Sequence, residues 1–460
     1  MALTGSENTA PLPARAPFAN LWVRLKSRLG DADQQTVHRL AGTVFLIRVI
    51  AAALAYLSNV LFARWMGTFE FGIFVYVWTW VLLIGQALDL GLSTAAQRFI
   101  PEYRERGLID LLRGYIAHSR WIAVGVAIAI AGLCAGLVRL LTPHLDSYNV
   151  IPLYIACIAL PAYALANVQD GIARSYDWVG LGIVPTYIVR QLLLTILMAG
   201  AYFGGLPVDA VTAMVLSVAA IWGPALLQMV VLNRRLSTRI EPGPKAHDVG
   251  LWISTALPIL LAEGFYLLLT HTDLLMLQQF RSPEDVAVYY AAVKTLALVA
   301  FIYFSIAATT AHRVAAYHAA GDREGLANFM RKAIALTFWP SVVATIVLLA
   351  FGKPILSLFG PQFTEGYPLM FILAVGLLAR AAIGPMERFL NVIGKQGINA
   401  LIYGGAFAVN IVLCFVLIPP LGAAGAAIAI STALIVETIA LVVLLKKQMG
   451  LDIFVWRRRS

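Results

Sequence analysis

The chain has few charges for its length and few cysteines. Only 13% of its 460 residues are charged and 60% are hydrophobic, with a mean hydropathy of +0.81. A water-soluble protein of this size needs a far more polar surface, so the composition indicates a polytopic membrane protein. The three cysteines, Cys134, Cys157 and Cys414, lie singly inside apolar segments. That placement excludes a disulfide framework and a paired-cysteine zinc site. GxxxxGK[ST], HExxH and GxSxG are missing, and without a phosphate-cradling loop the chain cannot hydrolyse ATP by the usual route. Metal ligands with motif spacing and bound cofactors are not expected, and neither is enzymatic activity.

What is present is a series of twelve long apolar segments, near 40–63, 69–93, 114–140, 150–173, 181–204, 209–233, 250–279, 286–311, 333–352, 367–391, 397–419 and 422–446. Each can cross about 30 Å of hydrocarbon. The series repeats with a fixed offset of 214 residues. Leu54 falls on Leu268, Leu61 on Leu275, Glu70 on Glu284, Tyr76 on Tyr290, Tyr103 on Tyr317, Gly107 on Gly321, Leu112 on Leu326, Arg174 on Arg388 and Gly180 on Gly394. The fold expected is all-α, with twelve transmembrane helices in two pseudo-symmetric six-helix lobes. The first lobe covers 40–236, a linker covers 237–249, and the second lobe covers 250–446. Membrane chains built from two such halves commonly carry a solute through the bilayer between them.

The net charge of +10 raises the question of nucleic acid, but its distribution answers it. Basic residues gather in the tail 1–39, in the even-numbered loops (Arg98, Arg104, Arg106, Arg113; Arg234, Arg235, Arg239, Lys245; Arg313, Arg323, Arg331, Lys332) and in the tail 447–460 with Arg457, Arg458 and Arg459. Odd-numbered loops hold only Arg64, Arg139, Arg281 and Lys353. By the positive-inside rule both termini are cytoplasmic and no nucleic-acid partner is implied. The opening residues have no signal-type apolar core. Phe18, Leu21, Trp22, Leu25 and Leu29 share a helical face, which suits an amphipathic helix on anionic membrane lipids; the alternative is a tail with scattered apolar residues. The loops 94–113 and 312–332 read as amphipathic stretches along the membrane surface. Outer loops are short, which counts against a polymerase or ligase.

Ionisable residues inside the spans carry the sharper signal. Each costs about 2.5–3.5 kcal/mol at mid-bilayer. Arg48, Arg190, Lys294 and Arg380 all fall well inside. Arg48, Ala52, Ala55 and Asn59 share a helical face, as do Ala287, Tyr290 and Lys294. Gly376, Arg380, Gly384, Glu387 and Asn391 form a third stripe. Four cations around a cavity suit an anionic substrate such as a phosphate or pyrophosphate. The alternative is that each snorkels to an interface or pairs with a buried acid.

Glu263, Tyr266, Thr270 and Asp273 form an acidic face, and Asn410 and Ser431 or Thr432 fall at similar depths to Glu263. Such oxygens suit a coupling Na⁺ or H⁺, or else Glu263 neutralises Lys294 or Arg380. Asp89 and Asp170 are expected to cap or pair, Glu437 has no assigned role, and His271 is read as structural. The pairs Gly132–Gly136 and Gly200–Gly204 predict close helix packing.

The stretch Asn59–Phe74, with Gly67-x-x-x-Phe71-Gly72, is followed by Leu88-Asp89-Leu90-Gly91-Leu92 and by Arg98-Phe99-Ile100-Pro101-Glu102-Tyr103. It resembles the opening of polysaccharide transporters. These are the Wzx-type oligosaccharide flippases of the multidrug/oligosaccharidyl-lipid/polysaccharide (MOP) superfamily. The likeness extends over all twelve spans in length and order. It implies a V-shaped, MATE-like pair of lobes working by alternating access in a bacterial inner membrane. It implies a polyprenyl-pyrophosphate-linked oligosaccharide as substrate, exported for exopolysaccharide, capsule or O-antigen synthesis, with polymerase and chain-length proteins of that pathway as partners. Cations on spans 1 and 8 of such flippases correspond by span and depth to Arg48 and Lys294. A Na⁺ site on spans 7, 11 and 12 of the related lipid II flippases corresponds by helix to Glu263, Asn410 and Thr432. The competing reading within the superfamily is a Na⁺- or H⁺-coupled multidrug exporter, for which a more acidic or aromatic cavity is expected.

Overall fold

The computed structural model describes residues 17–319, 322–392 and 396–449. Gly321, Gly394 and Arg457 to Arg459 lie outside them, as do the side chains of Phe18, Leu21, Trp22, Leu25, Leu29, Arg313, Arg323, Arg388 and Asn391. The chain divides into a small unit, Met1–Leu46, and a large compact one, Ile47–Ser460.

Among the described residues there is no β-strand. In hydrocarbon every backbone N–H and C=O must be satisfied within the protein, and long apolar runs therefore become helices. The first half of the chain forms α1 (Pro17–Ala87), α2 (Leu92–Glu105), α3 (Ile109–Leu141), α4 (Ser147–Arg174), α5 (Val179–Val184), α6 (Arg190–Phe203) and α7 (Ala210–Ser237). The second forms α8 (Val249–Phe280), α9 (Pro283–Leu296), α10 (Ala300–Ala319), α11 (Arg323–Ala350), α12 (Gly352–Ser357), α13 (Tyr367–Ala381), α14 (Met386–Val392), α15 (Gln396–Leu421) and α16 (Ala423–Met449). Eleven described stretches are long and apolar enough to cross a membrane. One of them, Phe45–Glu105, has 61 residues and contains a backbone break at Gly67. At 1.5 Å per residue it would extend about 90 Å, three times the hydrocarbon core. A count of twelve depends on dividing it there.

The 214-residue repeat reappears in the backbone. Ile109, which opens α3, corresponds to Arg323, which opens α11, and Ala210 of α7 corresponds to Ala424, one residue inside α16. Packing repeats as well: α4 lies on α7 as α13 lies on α16, and α2 on α3 as α10 on α11.

Glycines and aspartates set the breaks. Gly67 has φ +77°, a left-handed conformation open to glycine at little cost. Beyond Ala87 the chain turns through Leu90 and Gly91, both at positive φ, and the Asp89 carboxylate accepts from the Gly91 and Ser93 amides at 3.0 and 3.4 Å. Asp89 thereby serves the start of α2, as expected of a cap. Asp170 pairs with Arg174 at 2.8 Å. The surface stretch 94–113 is indeed amphipathic and largely helical, but α2 buries Leu92, Ala96, Phe99 and Ile100 against neighbouring helices.

Two expectations need correction. The Gly376–Asn391 stripe is not one helical face, because α13 ends at Ala381 and Gly384 takes φ +57° ahead of Pro385. Proline cannot continue the helix, and the chain turns before α14. The GxxxG pairs are not packing contacts either: a Cβ on Gly132, Gly136 or Gly200 would meet nothing within 4 Å, and one on Gly204 would meet only its own helix. Close approach occurs elsewhere, where Gly72 meets the Pro283 carbonyl, Gly171 meets Ser93 and Gly376 meets Ser431.

Candidate functional site: a cationic cavity between the halves

A cavity of about 300 Å³ lies between the first and second halves of the chain. Ala52, Ala55 and Asn59 of α1 form one wall, with Trp78 and Leu82 beyond the Gly67 break. Arg190 and Gln191 open α6 on a second wall, and Tyr290 and Lys294 of α9 supply the third. The residues lining it include two cations and no carboxylate.

Local structure aims both cations. Pro185 opens a five-residue π-helical turn, Pro185–Val189, immediately before Arg190. Such turns shift the side chains that follow and recur at functional sites. Arg190 Nε donates to the Thr186 carbonyl at 3.1 Å, and the guanidinium lies 5.1 Å from the centroid of the Trp78 ring. Lys294 Nζ stands 5.0 Å from the centroid of the Tyr290 ring. Neither interaction cancels the charge. An aromatic face stabilises a cation by about 0.5–2 kcal/mol and leaves its field directed into the cavity.

The predicted stripe on α1 therefore lines the cavity through Ala52, Ala55 and Asn59, but Arg48, one turn further along, is exposed and not among the lining residues. Arg380 is placed elsewhere. Its Nε lies 3.6 Å from Glu437 and its Nη2 3.9 Å from Glu387, while the Tyr266 ring covers it at 4.8 Å. Glu437, unassigned from sequence, is thus the buried counter-charge of Arg380. Trp78 was missed as a lining residue, although Phe74, Trp78 and Leu82 recur every four residues and all three line the cavity.

The coupling-ion candidates separate in the same way. Asp273 is buried and accepts from the Tyr289 hydroxyl. Asn410, also buried, donates to the Leu269 carbonyl at 3.1 Å, one turn of α8 from Asp273. Glu263 is exposed, about 15 Å along α8 from Asp273, and Thr432 is half-buried. Among the described residues no three His, Cys, Asp or Glu side chains form a metal-binding group.

One end of the cavity is sealed. Arg64 donates to the carbonyls of Leu358 and Ser357 at 2.6 and 2.8 Å. The Tyr56 ring stands edge-on to Phe359 at 5.4 Å and its hydroxyl meets Thr295 at 3.0 Å. Phe71 lies between Tyr290 and Phe363, and Gly72 abuts Pro283.

The pattern described as "Polysaccharide biosynthesis protein" matches residues 39–311, well over half of the sequence. The chain belongs to this family. A second pattern, MatE, matches residues 258–416. The chain is 24% identical over 428 residues to an uncharacterized membrane protein, EpsK, of Bacillus subtilis, covering 85% of this chain and 81% of that one. It is 20% identical over 411 residues to the probable low-salt glycan biosynthesis flippase Agl15 of Haloferax volcanii, covering 86% and 80%. Among solved structures, an inward-facing multidrug resistance MATE family transporter of the MOP superfamily superposes with TM-score 0.69, at 16% identity, covering 90% of this chain and 94% of that one. The lipid II flippase MurJ, in an inward closed conformation, superposes with TM-score 0.69, at 14% identity, covering 88% and 87%. At these identities the likeness is one of fold, which the chain shares with the MATE transporter and with MurJ over nearly its whole length.

Proposed function

We propose that this family member moves an anionic polyprenyl-pyrophosphate-linked oligosaccharide from the cytoplasmic to the outer leaflet of a bacterial inner membrane, for exopolysaccharide, capsule or O-antigen synthesis. The observation that carries the reading is the pair Arg190 and Lys294, aimed into one cavity that no carboxylate lines. Two cations in a low-dielectric site whose lining holds no carboxylate favour a multiply charged headgroup. The cavity sits at the small end of the range for ligand sites, about 300–1,000 Å³. It has room for the headgroup, and the sugars occupy space that opens as the halves part.

With the termini cytoplasmic, the Arg64 seal faces outward and the headgroup enters from inside. The two lobes, 40–236 and 250–446, then rock about the cavity. Asp273 is our candidate for the coupling Na⁺ or H⁺, with Asn410 beside it. Glu263 and Thr432 lie further off. Arg48, exposed beyond the cavity, is placed to meet an approaching anion. Arg380, tied to Glu437, serves the second half internally. The MatE match and the aromatic lining support a second reading, export of drugs. Two cations repel a cationic drug, which favours the flippase.

The test is depletion of the protein in cells, followed by lipid extraction. Accumulation of lipid-linked oligosaccharide on the cytoplasmic leaflet, relieved by wild type, supports the reading. Normal lipid profiles with raised sensitivity to cationic drugs would replace it with the exporter.

A further inference from the structure

A second, larger recess of about 700 Å³ lies on the first half of the chain, between α3 and α7, and shares no residue with the cationic cavity. Its composition changes along its length. Arg113, Arg120 and Asn233, with Lys245 of the following linker, occupy one end, whereas Val124, Leu165 and Met229 line the other. From Arg113 to Val124 the recess follows α3 for about 16 Å.

The two arginines differ in their partners. Arg113 is engaged, donating to the Glu241 carbonyl and to Asp110, both at 2.7 Å. Arg120 forms one hydrogen bond, from Nη1 to Asn233 at 2.6 Å. Its Nε and Nη2 are shut off from solvent without an acceptor among the described residues, and no salt bridge there includes it. A guanidinium with two nitrogens removed from water and a single neutral amide oxygen as its partner lacks a counter-charge, so an anion brought to it is favoured.

Depth identifies the kind of anion. Counting back from Leu141 the roughly 20 residues that cross a hydrocarbon core places the boundary at Trp121. Arg120 therefore lies at headgroup level. Trp121 is 76% exposed beside it, the usual place for tryptophan at a membrane interface. A basic mouth at phosphate depth, continued by an apolar trough along the acyl region, matches one lipid molecule in both charge and length.

We infer that this recess binds an anionic glycerophospholipid, its phosphate on Arg120 and Lys245 and an acyl chain along Val124, Leu165 and Met229. The lipid then touches the linker between the halves, which Arg113 already holds against α3 through Glu241. Glu241 lines the same rim, and its exposed carboxylate disfavours a headgroup carrying a second negative charge there. The occupant is therefore a singly charged phosphodiester lipid.

The full-length protein is purified in detergent and titrated with phosphatidylglycerol or phosphatidylcholine, counting bound lipids by native mass spectrometry. Phosphatidylglycerol is expected to bind about fivefold more tightly, the preference one interfacial basic residue gives. Arg120→Gln removes that preference, and Arg120→Lys retains most of it. Val124→Phe fills the trough without altering charge and lowers occupancy by both lipids, which decides the matter if Arg120→Gln fails to fold. Brominated phosphatidylglycerol quenches wild-type fluorescence more than that of Trp121→Phe. Equal affinity for the two lipids, or unchanged binding in both Arg120→Gln and Val124→Phe, would overturn the proposal. Displacement of the lipid by millimolar inorganic phosphate would replace it with a free-anion site.

Discussion

Gly72→Ala adds one methyl group where the two halves touch. In the sealed structure that Cβ would fall on the Pro283 carbonyl, the first residue of α9. Backbone atoms cannot swing aside as a flexible side chain can, so α1 and α9 must separate. Inserting a methyl group into a packed contact costs about 1–3 kcal/mol. Here the cost applies only while the halves are closed, and it becomes a shift of about 5–150-fold toward the state in which they are apart. The assay is double electron–electron resonance between spin labels on Thr68→Cys and Gln362→Cys, residues that meet at 3.5 Å across the seal. The native Cys134, Cys157 and Cys414 are first replaced. The short-distance population should fall in Gly72→Ala. It should stay unchanged in Gly132→Ala, where the added methyl meets nothing. Identical distance distributions for wild type and Gly72→Ala would refute the argument that backbone contact at this point holds the seal.

Other outcomes follow from the same geometry. Glu437→Leu leaves Arg380 with Glu387, the more distant and more exposed of its two carboxylate partners, and should destabilise the protein by about 3 kcal/mol, read as a lowered unfolding midpoint in detergent. Glu387→Gln should cost under about 1 kcal/mol in the same assay, as expected of a partly exposed pair. Asp89→Ala removes the acceptor of two amides at the start of α2 and should cost about 1 kcal/mol, with faster hydrogen exchange at Gly91 and Ser93. Asp273→Asn should abolish the dependence of transport on a Na⁺ or proton gradient in vesicles while leaving substrate binding intact.

Most of the architecture was legible because lipid enforces simple rules. Apolar length set the helices, and the 214-residue offset relates the start of α3 to that of α11 and, within one residue, that of α7 to that of α16. The starts themselves lie up to ten residues ahead of the apolar runs, because α3 and α11 open on polar turns. Gly67 and Gly72 were legible as a motif, and each has its own reason: one needs positive φ and the other has no room for a side chain. Depth along a single span, in contrast, says nothing of which way the helix is turned or where it stops. Arg48 and Lys294 looked alike in sequence, yet only Lys294 faces the cavity. Arg380 was grouped with them, but its partner Glu437 lies 57 residues away on another helix, beyond the reach of any local pattern. The GxxxG pairs failed for the same reason, because spacing does not show whether a helix face meets a neighbour or the surroundings.

On the proposed function, Arg190 and Lys294 together hold an anionic headgroup in transit. The most direct measurement is translocation of a fluorescent polyprenyl-pyrophosphate oligosaccharide in proteoliposomes, comparing wild type with Arg190→Gln, Lys294→Gln and the double variant at equal reconstitution. Each single substitution should slow transport at least tenfold, and the double variant should match protein-free vesicles. Wild-type transport in the double variant would show that these two cations do not hold the headgroup.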